Sequence, residues 1–163
     1  MKNDNRQLNW CLKQPKGIRL TKPSESLAKA YRQKANNALK SMEVNAQANL
    51  TDWAVSASYY SRYFAVYSLF SKIGVKCEIH DCTIALYECL FADVIPEGLI
   101  GDLREAKTYR VEMQYYTQQV SVDLNQIIKN TKKFVLEIDK ICDSLNSEKI
   151  TTLTKKLQLL VGK

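Results

Sequence analysis

Glycine and proline are scarce, five and three in 163 residues. Turn-rich β folds need both for their chain reversals, so the scarcity favours long helices. Alternation of apolar and polar residues never persists beyond a few positions, and no strand is expected. No apolar run approaches the ~18–20 residues that a membrane-spanning helix needs, so no membrane partner is expected. The opening segment, MKNDNRQLNWCLKQ, has no apolar core of the kind that directs secretion, and a cytoplasmic location is the expectation. The cysteines are odd in number and scattered (Cys11, Cys77, Cys82, Cys89, Cys142). They read as reduced thiols, mostly small buried hydrophobes. There is a single histidine, His80, so any histidine chemistry must use it. A Gly-rich phosphate loop, a nucleophile elbow and a zincin helix are all missing.

What is present is helical periodicity around one stretch, TDWAVSASYYSRYFAVYSLFSKIG, from Thr51 to Gly74. Thr51 and Asp52 read as its start and Gly74 as its stop. Trp53, Ala57, Tyr60, Phe64 and Tyr67 make one stripe at 4-3-4-3 spacing. Val55, Tyr59, Val66, Phe70 and Ile73 make a second. Ala54, Ser58, Ser61, Ala65 and Ser68 make a third, all small, which lets another helix backbone approach. A helix apolar or small all round is buried on several sides, so this is the expected centre of a bundle. Trp53 is expected in the core, where its truncation would cost roughly 3–5 kcal/mol. Arg62 sits mid-helix among tyrosines and does not fit a simple core.

The fold class that follows is all-α: an up-and-down bundle of about five helices plus a C-terminal helix. Residues 1–23 form a basic arm, 24–146 the bundle, and 147–163 a last helix packing on the bundle or on a second subunit. Residues 1–22 carry six basic side chains, Lys2, Arg6, Lys13, Lys16, Arg19 and Lys22, against one acid, Asp4. Such an arm attracts nucleic acid or an acidic partner, or is simply a solubilising tail. It shows no clear period, and its apolar Trp10, Leu12, Ile18 and Leu20 should lie against the body or a second subunit.

Ser24 is the expected N-cap of the first helix, which buries Leu27, Ala30, Tyr31, Ala35, Ala38, Leu39, Met42 and Ala46 and ends near Asn49. Its other face, with Arg32 and Glu43, should be in water. His80 or Asp81 can cap a third helix running to about Ala92. A fourth runs from about Glu97, after Pro96, to Thr117, with Leu99, Leu103, Ala106, Met113 and Tyr116 inward. Ser121 starts a fifth, carrying Leu124, Ile127, Thr131, Val135, Ile138, Ile141 and Cys142. A final helix at about 148–161 shows Ile150, Leu153, Leu157 and Leu160.

Two groups of residues invite chemistry. The run Cys77-Glu78-Ile79-His80-Asp81-Cys82 can be drawn as metal ligands. Structural zinc commonly takes two spaced pairs, however, and the chain offers one group and no second histidine. No metal and no cofactor are implied. His80 titrates near neutrality, which suits general acid–base work; the plainer role is a hydrogen bond to backbone or to a tyrosine. Arg104, Lys107 and Arg110 share one broad side of the fourth helix with Tyr109, Tyr115 and Tyr116. That is either a solvated flank paired with Glu105 and Glu112, or the mixture of cations and aromatics that single-stranded nucleic acid uses.

The string AVSASYYSRYFAVYSLFSKIGVKCEIHDCTIAL resembles the prokaryotic HEPN domains often found beside minimal nucleotidyltransferases. Matching features are Tyr59, Tyr60, Tyr63, Phe64, the Leu69 region, Gly74 and His80, with Ala30, Tyr31, Ala35 and Leu39 upstream and the Arg104–Tyr116 region downstream. The resemblance covers about residues 24–145. It implies an all-α bundle, often dimeric, and many such proteins are metal-independent ribonucleases of toxin–antitoxin, CRISPR or antiviral systems. Active members carry an Arg followed after four to six residues by His. Here those positions before His80 hold Ile73, Gly74 and Val75, the nearest cation is Lys76, and seventeen residues separate Arg62 from His80. The expected role is therefore a non-catalytic binding module. It would be a homodimer acting with a nucleotidyltransferase-type partner or binding nucleotide or RNA, with Lys76, Arg104, Lys107 and Arg110 as contacts. The alternative is an atypical ribonuclease in which His80 moves the proton while Arg62 or Lys76 steadies the phosphorane.

Overall fold

The computed structural model describes residues 5–116 and 121–162. Lys2 and Asp4 of the basic arm, and Thr117 at the expected end of the fourth helix, lie outside them. The chain runs α1 (Asn5–Lys13), β1 (Arg19–Leu20), α2 (Glu25–Gln47), α3 (Thr51–Ile73), β2 (Val75–Lys76), α4 (His80–Phe91), α5 (Glu97–Ile100), α6 (Asp102–Tyr115), α7 (Leu124–Ser144) and α8 (Ser147–Val161). The class is all-α. No helix of the described residues is long and apolar enough to cross a membrane.

Helix α3 is the axis of the molecule. Most of its residues are buried, and α2, α6, α7 and α8 all pack on it. Its buried serines avoid unpaired hydroxyls by bonding back into the helix. Ser68 Oγ donates to Ala65 O (2.6 Å) and Ser71 Oγ to Tyr67 O (2.8 Å). Ser61 Oγ instead reaches Ala35 O on α2 at 2.9 Å, so the small stripe does bring a neighbouring backbone close. Gly74 ends the helix in the left-handed region at φ 74°, and a Cβ there would also meet Thr21 O at 2.5 Å.

Caps set the other boundaries. The Ser24 side chain accepts from Leu27 N at the start of α2, and Asp123 and Asn146 do the same for α7 and α8. Asp123, not Ser121, therefore caps α7. Neither His80 nor Asp81 caps α4. Ile79 holds that position without a side-chain bond, which frees the imidazole for other contacts. The expected fourth helix breaks at Gly101 into α5 and α6, because glycine weakens the helix there.

Several expectations are corrected by packing. Trp53 is 61 % exposed, because no described element covers the N-terminal end of its stripe. On α2 the buried residues are Ala28, Ala35 and Met42, whereas Leu27 and Ala30 face water. Tyr116 is exposed, at the C-cap of α6. Arg32 is not a solvated cation: its guanidinium pairs with Asp139 (2.9 Å) and Asp143 (2.6 Å) and ties α2 to α7.

The basic arm is structured, although its short helix left no period to read. Leu8 and Cys11 of α1 enter the main core, and β1 pairs antiparallel with β2, Arg19 opposite Lys76. Cys11 and Cys82 form a disulfide, which corrects the expectation of reduced thiols throughout; Cys77, Cys89 and Cys142 are free. Helix α8 packs on its own chain, burying Leu153 and Leu157 against α3 and α4.

Candidate nucleic-acid interface

One flank of α3 gathers the aromatic residues. Tyr59, Tyr60 and Tyr63 stand at spacings that place them on adjoining sides of the helix, and the first turn of α4 lays His80 against them. The imidazole stacks on Tyr63 with centroids 4.5 Å apart and planes 13° apart. It meets Tyr60 edge-on at 6.4 Å. The Tyr59 hydroxyl and His80 Nδ1 share a hydrogen bond. Burial pushes the Tyr59 phenol well above its ordinary range, so it keeps its proton and donates to Nδ1. The ring proton then sits on Nε2. His80 is itself held below its ordinary value, first by burial and then by the nearby Arg110 and Lys107, with Asp81 opposing. The imidazole is neutral at pH 7.

Helix α6 supplies the cations. The Arg110 guanidinium lies 5.1 Å from the Tyr60 centroid and 5.5 Å from that of Tyr59, and its Nε is buried without a hydrogen-bond partner. The rings take the place of a carboxylate. Lys107 pairs with Asp81 at 2.5 Å, and Arg104 grips Glu88 through two bonds of 3.0 and 2.8 Å. These two pairs bolt α6 to α4. Lys76 stands apart on β2, paired with Glu78 at 3.0 Å; Arg19 shares the same carboxylate. Of the four cations expected to contact nucleic acid, Arg110 is the one committed to aromatic faces rather than to an acid.

Beside Arg110 an open groove of about 500 Å3 runs between α2 and α3, with Gln114 of α6 at its edge. Trp53, Ala57, Tyr60 and Phe64 form its apolar wall, and Ser41 and Asn45 provide polar groups. Lys34 of α2 lies 5.6 Å from the Phe64 centroid and 5.4 Å from that of Tyr31. The sequence reading did not single out Lys34. Its spacing three residues after Tyr31 is the signal that would have found it.

Arg62 does not join this group. One position along a helix turns the side chain by about 100°, so Arg62 leaves the face of Tyr63 and points towards α7. There its Nη1 donates to Thr131 Oγ1 (2.7 Å), and its guanidinium lies 5.9 Å from the Phe134 centroid. Within the chain, Arg62 and His80 are on different flanks of α3. Cys82, one of the drawn metal ligands, has its sulfur in the disulfide, and no group of three or more His, Cys, Asp or Glu among the described residues is placed to hold a metal ion.

The comparison with curated proteins gives no match. A family model described as HEPN domain matches residues 28–149, most of the chain, from the first turn of α2 through α7 to the start of α8. The chain belongs to the HEPN domain family.

Proposed function

We propose that this HEPN chain is a non-catalytic binding module that takes nucleotide or single-stranded RNA on the aromatic flank of α3. It works as a dimer beside a nucleotidyltransferase-type partner. The observation that carries the reading is Arg110 spread over Tyr59 and Tyr60, the second of which also walls an open groove together with Phe64 and Trp53. Stacking on such rings contributes about 1–3 kcal/mol per base and tolerates any base, while Lys34 and Arg110 offer charge to the backbone. The Trp53 indole, left in water by the fold, gains apolar cover from a stacked base. The pairing habit of the family supports the dimer. The His80 environment argues against hydrolysis: Nδ1 is occupied by Tyr59 and one ring face is covered by Tyr63.

One observation favours the second reading, an atypical metal-independent ribonuclease. Lys107 and Arg110 flank His80 electrostatically, so a cation is brought to the histidine in space rather than through sequence spacing. Arg110 would then take the part of Arg62, which is bonded to Thr131, and of Lys76, which is paired with Glu78. Purified protein incubated with a mixed RNA pool in chelator, alongside His80→Ala, separates the two. The binding module retains RNA and cleaves no more than the variant. Cleavage that vanishes in the variant overturns the non-catalytic reading.

A further inference from the structure

The opposite flank of α3 holds a second cavity, of about 200 Å3, which shares no residue with the aromatic groove. Arg62, Asp102, Glu105, Gln126 and Asn130 line it, with Asp123 at the start of α7. Arg62 is only 4 % exposed, and its Nε is buried with no hydrogen-bond partner. A guanidinium so placed is costly to leave unmatched. The carboxylate of Asp102, half-buried at the first turn of α6, makes no hydrogen bond or ion pair among the described residues. The two charges sense each other across the cavity but do not meet as an ion pair.

The neighbouring acids have other work. Glu105 accepts from the Tyr109 hydroxyl at 3.3 Å, and Asp123 caps α7 through Gln126 N at 3.0 Å. The Gln126 amide donates to Asn130 Oδ1 at 2.7 Å, which leaves the Gln126 carbonyl oxygen and the Asn130 amide N–H groups for a guest. The carboxylates do not converge as metal ligands do. What remains is a cation whose Nη1 is held by Thr131 and Ser58 but whose Nε has no partner, and an anion without a partner, both lining one void. A guest carrying both signs would satisfy each. The volume lies below the ~300–1,000 Å3 typical of drug-sized sites, which excludes a whole nucleotide and suits a much smaller molecule.

We propose that this cavity binds a free α-amino acid, its carboxylate on Arg62 and its ammonium on Asp102. Charge-assisted bonds at both ends select a zwitterion over either half.

Isothermal titration calorimetry on the full chain tests the site. The probes are L-alanine, L-serine and L-glutamine, with propionate supplying the carboxylate alone and L-alaninamide the ammonium alone. The expected result is saturable heat from at least one amino acid and none from the two halves. Asp102→Asn should weaken that binding roughly tenfold or more, the effect of losing a hydrogen bond to a charged group. Arg62→Lys should do the same, and because it alters a buried residue, the Asp102→Asn result at an unchanged melting temperature decides. No saturable heat from any of the three amino acids overturns the proposal. So does equal binding of propionate or L-alaninamide, or unchanged affinity in Asp102→Asn.

Discussion

Each flank of α3 meets an arginine, and the two arginines are treated in opposite ways. Arg110 reaches the aromatic flank from α6 and lies over two tyrosine rings at the edge of an open groove. Arg62 grows from α3 itself into the other flank, where burial pushes its pKa down to about 10 while Asp102 and Glu105 pull it back up. Depth decides which partners each can meet. The groove lies open along Tyr60, the ring that Arg110 covers, whereas Arg62 is buried at the wall of a smaller cavity. The aromatic flank therefore suits nucleic acid, and the arginine with the deeper desolvation suits a compact guest.

The contrast can be broken experimentally, and the largest effect should come from the disulfide. Cys11 and Cys82 are 71 residues apart in sequence. A loop of that length gives a stabilisation of roughly 4 kcal/mol in the chain-entropy model. Urea melts with and without a dithiol reductant should show a loss of that order. Because Cys82 lies in the first turns of α4, hydrogen exchange should rise around α1 and His80 and stay unchanged around Thr131. Equal loosening of both flanks would mean that they are one cooperative unit.

Tyr59→Phe should cost about 1 kcal/mol, the usual net value of one hydrogen bond. It removes the donor that favours neutral His80, so the imidazole pKa should rise towards its ordinary value when followed by NMR. An unmoved pKa would show that the hydroxyl does not set the tautomer.

A smaller effect is expected from acid. His80 titrates below its ordinary value of 6.5 in the folded chain, so the unfolded chain takes up its proton first as pH falls. The contribution of His80 to stability is complete above that ordinary value and is lost as pH drops through the folded value. Urea midpoints between pH 7.5 and pH 5 should fall more for the parent chain than for His80→Gln. Parallel curves would contradict the burial of His80.

The smallest effect should be Trp53→Ala, within about 0.5 kcal/mol, since an exposed side chain that makes no cap bond or ion pair contributes little to stability. A loss of several kcal/mol would return Trp53 to the core.

Much of the framework was legible in the sequence. The density of apolar and small residues in Thr51–Gly74 marked the axis, and Ser24 and Gly74 are boundary residues for local chemical reasons that need no tertiary context. Trp53 shares the stripe yet stays exposed, because periodicity reports which residues share a stripe, not whether a neighbouring helix is long enough to cover its end. Arg62 neighbours the tyrosines in the sequence, but one helical step carries it to another flank. The Cys11–Cys82 bond and helix α1 were hidden for a related reason. Nine residues give too few turns for a period to show, and the bond that anchors them closes across the fold. At the candidate interface, the cationic side of α6 was readable, but Arg104 and Lys107 are taken up by Glu88 and Asp81, which only the α4–α6 packing reveals.

The central claim is that the groove beside Arg110 receives single-stranded RNA, and fluorescence of Trp53 tests it most directly. The chain has two tryptophans, so a Trp10→Phe background leaves Trp53 as the sole reporter. Titration with a short single-stranded RNA should quench Trp53 saturably. Arg110→Ala should weaken that binding several-fold at constant salt, with the melting temperature preserved. Absence of saturable quenching, or quenching that Arg110→Ala leaves unchanged, would contradict the account.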